Sequence, residues 1–163
     1  MHFKNGQLVF KKNFIVLPYN ENTADYLAFL KELNNNGYKP TVLTSKMMLD
    51  YIVSVTKKHK TVYQIEFMEE DDELYAEIKE LLYKVNNNNS YTMDAFINVL
   101  RFHIENFSAE IKRVYIRGVE DTDNYFIQAN GIIGIDEAHY EAITDEICVF
   151  MNKTQEIKGE KND

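Results

Sequence analysis

The sequence predicts an α+β fold: a single domain with a mixed β-sheet of four to six strands, a long β-hairpin in the C-terminal half, and about five helices packed against the sheet. Short runs rich in β-branched and aromatic residues alternate with longer segments whose apolar residues recur every three or four positions. The resulting order, β-(β)-α-β-α-β-α-α-β-β-α, combines hairpins with helical crossovers, which is the pattern of an α+β domain. At 163 residues, 45% of them hydrophobic, the chain is long enough to bury roughly 70% of the surface its unfolded form exposes.

The first strands lie within residues 7–17, as Leu8-Val9-Phe10 and Phe14-Ile15-Val16-Leu17 with Pro18 as a stop. Asn22 or Thr23 is placed to cap a helix that turns Tyr26, Leu27, Phe29, Leu30 and Leu33 inward, and Asn34-Asn35-Asn36-Gly37 ends it. Thr41-Val42-Leu43 reads as a short strand. Thr44 or Ser45 then caps a second helix with Met47, Met48, Tyr51, Ile52 and Val55 inward, and Lys57-Lys58-His59-Lys60 sits favourably at its negative end.

Val62 to Phe67 alternates with period two and should be a strand. The acids Glu69, Glu70, Asp71, Asp72 and Glu73 complement the positive end of a helix that buries Leu74, Ile78, Leu81, Leu82 and Val85. After the loop Asn86 to Asn89, residues 92–107 form a helix with Met93, Phe96, Ile97, Leu100, Ile104 and Phe107 along one side. The hairpin follows, with arms Ile111–Val119 and Tyr125–Ile133 around a polar loop, as the expected centre of the sheet. Asp136 caps a last helix burying Tyr140, Ile143, Ile147, Phe150 and Met151. The domain is taken as 1–152, with 153–163 a polar tail expected to fray.

Composition narrows the function classes. Eighteen Lys and Arg against 26 Asp and Glu give a formal net charge of −8, which disfavours direct nucleic-acid binding and an anionic membrane surface. No stretch approaches the ~20 apolar residues of a membrane span, and the first residues lack the apolar core of a signal peptide. One cysteine, Cys148, cannot form an internal disulfide and reads as a small buried hydrophobe. A cytoplasmic location is expected. The abundance of Asn, Lys, Ile, Tyr and Phe fits AT-rich codons, hence a low-GC bacterium or a phage or other mobile element within one.

Chemical motifs are absent. His2, His59, His103 and His139 have no metal-ligand spacing, so no metal is expected. Asp121-Thr122-Asp123 starts like a calcium loop, but Phe126 and Ile132 stand where the turn Gly and bidentate Glu belong. No glycine-rich phosphate loop and no nucleophile elbow occur, so no cofactor and no catalytic residue are assigned. His103 with Glu105, or His139 with Glu141, would be acid–base pairs only if a cleft joined them.

The arginines stand apart. All three, Arg101, Arg113 and Arg117, fall within seventeen residues, whereas the fifteen lysines are spread along the chain. Arginine's planar, multi-donor, permanently charged fork is suited to recognition. On a strand, Arg113, Tyr115 and Arg117 share one face, where they either hold a carboxylate, a phosphate or an acidic protein loop, or pair with the chain's own acids.

Arg113, Tyr115, Arg117 and Arg101 are therefore the candidate binding residues. The favoured reading is a non-enzymatic protein that binds another protein, as an inhibitor, immunity or anti-defence factor, with homodimerisation left open. The alternative is a small-molecule or nucleotide-binding domain, hydrolytic or not, that holds an anionic group on the Arg/Tyr/Arg face. A third reading is an acidic decoy for the nucleic-acid site of a basic partner.

Overall fold

The computed structural model describes residues 3–20, 22, 25–87, 92–118 and 124–161, with side chains through 154. The elements are β1 (Phe3–Phe10), β2 (Phe14–Tyr19), α1 (Tyr26–Asn35), β3 (Lys39–Pro40), α2 (Ser45–Lys57), β4 (Thr61–Phe67), α3 (Asp72–Asn86), α4 (Met93–Phe107), β5 (Ile111–Arg117), β6 (Tyr125–Gln128), β7 (Ile132–Asp136) and α5 (Tyr140–Lys161), the last preceded by one 3₁₀ turn. The α+β class is as the sequence predicts. Two details differ: the strands number seven, and the paired strands run antiparallel rather than in a mixed sheet. The expected parallel pairing relied on single-helix crossovers. Between β4 and β5, however, two helices carry the chain away and back, which returns it to the end it left and makes the next strand antiparallel.

The residues gather into two compact units, one of Met1–Val42 with Asn130–Asp163 and the other of Leu43–Ala129. In the first, β1 pairs with β2, β3 and β7. Pro18 does not stop β2 but lies within it, opposite Gly6. β2 pairs on one side only, so a missing N–H costs it nothing there. Leu8, Val9, Ile133 and Ile135 are fully buried, and Ile143, Ile147 and Met151 of α5 are buried as expected, with Phe150 only half so.

Gln7 is also fully buried. Its amide donates to the carbonyls of Leu8 (3.1 Å) and Asn130 (3.0 Å) while its oxygen accepts from the Tyr26 hydroxyl (2.9 Å), so the polar group is satisfied in the core. Other boundaries moved with the caps. Asp25, rather than Asn22 or Thr23, caps α1, Leu27 points outward, and Asp136 caps the 3₁₀ turn instead of α5 itself. Thr23, like Asn88 to Ser90 and the hairpin loop 119–123, lies outside the described residues.

In the second unit β4, β5 and β6 form an antiparallel meander. One side is apolar: Val62, Ile65, Val114, Ile116, Tyr125 and Ile127 are buried. Helices α2 and α3 pack on it, and α4 packs on both of them through Phe96, Ile97 and Leu100. Of the helix stripes read from the sequence, Met48, Tyr51, Ile52, Val55, Ile78, Leu82, Phe96, Ile97 and Leu100 are buried and Leu49 joins them, whereas Met47, Leu74, Leu81, Val85, Met93 and Ile104 are only half-buried and Phe107 is exposed. Thr44, Asp71 and Thr92 cap the three helices with side-chain oxygens on backbone N–H groups. Ser108 adopts a left-handed conformation to end α4 (φ 55°), and the Ile111 N–H then donates to Ser45 Oγ at 2.9 Å, fixing where β5 begins.

The long hairpin is shorter than expected. Its second arm stops at Gln128, because Asn130 accepts from the Ile132 N–H and Gly131 takes a positive φ of 85°, a turn that only glycine enters without strain. Residues 132–136 form β7 and pair with β1 instead.

Candidate functional site

β5 alternates as the sequence predicts. Val114 and Ile116 face the helices, and Arg113, Tyr115 and Arg117 face the other way. Pairing then decides what surrounds them. Arg113 stands opposite Gln128 on β6 and Glu66 on β4, and Tyr115 stands opposite Phe126 and Gln64. Tyr63 joins the same face through a bulge, since β4 places both Tyr63 and Gln64 against the single residue Tyr115.

The outcome is a ladder of cations and rings. The Arg117 guanidinium lies 5.0 Å from the Tyr63 ring centroid, Tyr63 lies 5.8 Å from Tyr115, Tyr115 lies 6.0 Å from Phe126, and Arg113 sits over Phe126 at 4.5 Å. Cations over ring faces at these distances are attracted by the ring quadrupole.

The two arginines are held differently. Arg113 Nη1 donates to the Tyr115 hydroxyl at 2.8 Å, and Nη2 donates to Gln128 Oε1. The Tyr115 hydroxyl in turn donates to Glu66 Oε1 at 3.0 Å. The expected pairing with the chain's own acids therefore occurs once and indirectly, with a phenol between Arg113 and Glu66. Arg117 is exposed, and among the described residues it has no hydrogen bond or ion pair beyond its stack on Tyr63. Burial pushes the Tyr63 hydroxyl above the usual tyrosine range, a shift that the nearby Arg117 partly offsets and Tyr115 reinforces.

Arg101 belongs elsewhere. It lies exposed on α4, donating to Asn98 Oδ1 at 3.3 Å within its own helix, and shares no partner with the strand arginines. Nor do Arg113 and Arg117 converge on one point. The first leans toward β6 and the second toward β4, and four strand residues separate them by ~13 Å. Tyr63, Phe126, Gln128 and Glu66 complete the face without having been read from sequence as site residues. Their period-two placement on neighbouring strands was the available signal, but only the pairing register brings them to Arg113 and Tyr115.

Around the end of β4 the surface changes sign. A shallow groove of about 380 Å³ is lined by Glu66, Glu69, Glu70, Asp71, Asp72, Tyr75 and Lys112, and a neighbouring cleft of about 230 Å³ includes Glu77 and His103. His103 Nε2 lies 3.4 Å from Glu77 Oε2; its partner is thus Glu77 on α3 and not Glu105. His139 and Glu141 line neither space. Among the described residues no cluster of His, Cys, Asp and Glu is arranged to hold a metal, and no helix is long and apolar enough to cross a membrane. Cys148 is half-buried, with burial, and secondarily Asp145, raising its thiol above the ordinary range.

Comparison with protein-family models, with curated proteins and with solved structures found no match.

Proposed function

We propose that this chain is a non-enzymatic cytoplasmic factor, of inhibitor, immunity or anti-defence type, that binds another protein through the outward face of β4, β5 and β6. One observation carries the reading. In a chain of net charge −8, the Arg117 guanidinium stands exposed on the Tyr63 ring, and among the described residues no acid pairs with it. Tyr and Arg are the residue types that dominate binding hot spots, because they present large contact area or a rigid donor fork at low entropic cost. Here they are held in place before any partner arrives, by the ring ladder and by the Arg113–Tyr115–Glu66 relay.

The alternative of a small anion clamped by Arg113, Tyr115 and Arg117 has less support, since the two forks point to different strands. The test is affinity capture from the native host by the wild-type chain, by Arg117→Glu, and by a Lys57→Glu/Lys58→Glu control. A partner retained by wild type and control but lost by Arg117→Glu is the expected result. Equal capture by all three would remove this face from the function.

A further inference from the structure

We infer that the segment received by this face is extended and charge-patterned, with acidic residues over Arg117 and Arg113 followed by basic residues in the groove beyond Glu66; the inference rests on the protein-binding reading above. Glu66 joins the two regions. Its carboxylate accepts from Tyr115 on the cationic face and also lines the groove that holds Glu69, Glu70, Asp71 and Asp72. A chain laid along β5 from Arg117 thus meets a guanidinium, the Tyr63, Tyr115 and Phe126 rings, a second guanidinium, and then a groove in which the carboxylates of Glu66, Glu69, Glu70, Asp71 and Asp72 outnumber the one ammonium of Lys112.

The spacing sets the repeat. An extended segment rises about 3.3 Å per residue, so acids four positions apart match Arg117 and Arg113, and the residues between them meet the rings. Beyond the second acid, complementarity reverses, and a further acidic residue would face like charge while Lys or Arg would be attracted. This is why the occupant is a protein segment and not a nucleic acid. A polyanion gains two cations on the face but carries its charge onward into the groove, on a molecule already strongly negative.

The probes are three fluorescent peptides and an oligonucleotide, titrated by anisotropy at low salt against the full chain. One peptide has two Glu four residues apart with Tyr between them, followed by a Lys block; the second replaces the Lys block with Glu; the third reverses the block order; the oligonucleotide is oligo-dT. The patterned peptide should bind at least about tenfold tighter than the other three. Arg117→Glu should abolish that binding, and Glu69→Lys/Glu70→Lys should transfer the preference to the all-acidic peptide, each with unchanged circular dichroism.

Oligo-dT or the all-acidic peptide binding as tightly as the patterned one overturns the inference in favour of a polyanion or an unpatterned acidic partner. If no probe binds while capture from the host still depends on Arg117, the charge pattern is wrong and the protein-binding reading stands. If neither probes nor capture depend on Arg117, both fall.

Discussion

Arg113 and Arg117 are equivalent in the sequence, two arginines on one strand face, yet removing them should have unequal effects on stability. Replacing Arg113 with Met deletes a charged hydrogen bond to Tyr115 at 2.8 Å, another to Gln128, and a cation–ring contact at 4.5 Å over Phe126. Net values of ~1.5–3 kcal/mol per buried hydrogen bond to a charged group apply only at their lower end on a half-exposed face, and the ring contact adds ~0.5–1 kcal/mol, offset by the apolar stem that Met retains. The expected cost is ~2–3 kcal/mol. Among the described residues, replacing Arg117 with Met removes an exposed stack on Tyr63 and no hydrogen bond, a loss worth ~0.5–1 kcal/mol. In urea, with a slope of ~2 kcal/mol per M, the midpoint should fall by ~1–1.5 M for Arg113→Met and by less than ~0.5 M for Arg117→Met, with unchanged slope. Equal shifts would show that Arg117 is as structural as Arg113, and the proposed contact surface would lose its central residue.

Three further outcomes follow from other parts of the fold. Gly131→Ala should lower the melting temperature by roughly 10 °C, since an added methyl would lie 2.5 Å from the Thr41 oxygen and 2.7 Å from the Gln7 amide at a φ of 85°, costing ~3–4 kcal/mol in strain and lost buried hydrogen bonds; a drop under ~3 °C would mean that the turn relaxes freely. The hydroxyls of Tyr26, Tyr63 and Tyr140 are all raised, in each case first by burial. The folded chain therefore keeps these protons longer than the unfolded one, so the urea midpoint should hold steady below the ordinary tyrosine value of about 10 and decline as pH rises through the higher folded values; Arg117→Met should move the Tyr63 phenolate transition, followed by absorbance, further upward. The half-buried Cys148 thiol, also raised, should react with an alkylating reagent far more slowly than free cysteine at mildly alkaline pH and accelerate under partial denaturation; rapid native-state labelling would contradict its placement.

What the sequence made legible was local. α2, α3 and α4 were readable because their apolar spacing states a helix face directly, and the cap of α2 could be narrowed from residue type and position to Thr44 or Ser45, of which Thr44 is the one used. Errors arose where a local signal had two meanings. Asn130-Gly131 is a turn dipeptide, but set between Ile127 and Ile132 it passed for strand, so one arm was drawn across what are β6 and β7. Pro18 looked like a terminator, yet an edge strand accepts it because its outer N–H has no ladder partner to lose. In the site, the Arg113/Tyr115/Arg117 alternation was visible, whereas Gln128, Phe126 and Glu66 reach it through register, a non-local quantity that no window of sequence contains. The grouping of Arg101 with them reflected proximity in the chain, which a helix and a strand on different layers do not convert into proximity in space.

The bulge in β4 offers the most discriminating test of how the face is built. Regular alternation would send Val62 and Ile65, three residues apart, to opposite sides of the sheet, but both are buried, because Tyr63 and Gln64 together oppose Tyr115. The extra residue shifts Tyr63 toward Arg117 and away from a position directly across from Tyr115, which is the kind of re-aiming that bulges provide. Deleting Gln64 would leave Val62, Tyr63 and Ile65 opposite Ile116, Tyr115 and Val114 in an unbroken ladder. The apolar pairings survive, and among the described residues the side-chain hydrogen bond lost, Gln64 to the Tyr75 hydroxyl, is exposed and 3.5 Å long, so the variant should fold with a urea midpoint within ~0.5 M of wild type. Tyr63 would then settle against Tyr115 and leave Arg117 without its ring. Binding of the patterned peptide should weaken about as much as in Arg117→Met, although both Arg117 and Tyr63 are still present. Wild-type binding by a folded deletion variant would show that the stack does not prepare the face for its partner, and failure to fold would show that the bulge serves the core of this unit and not its surface.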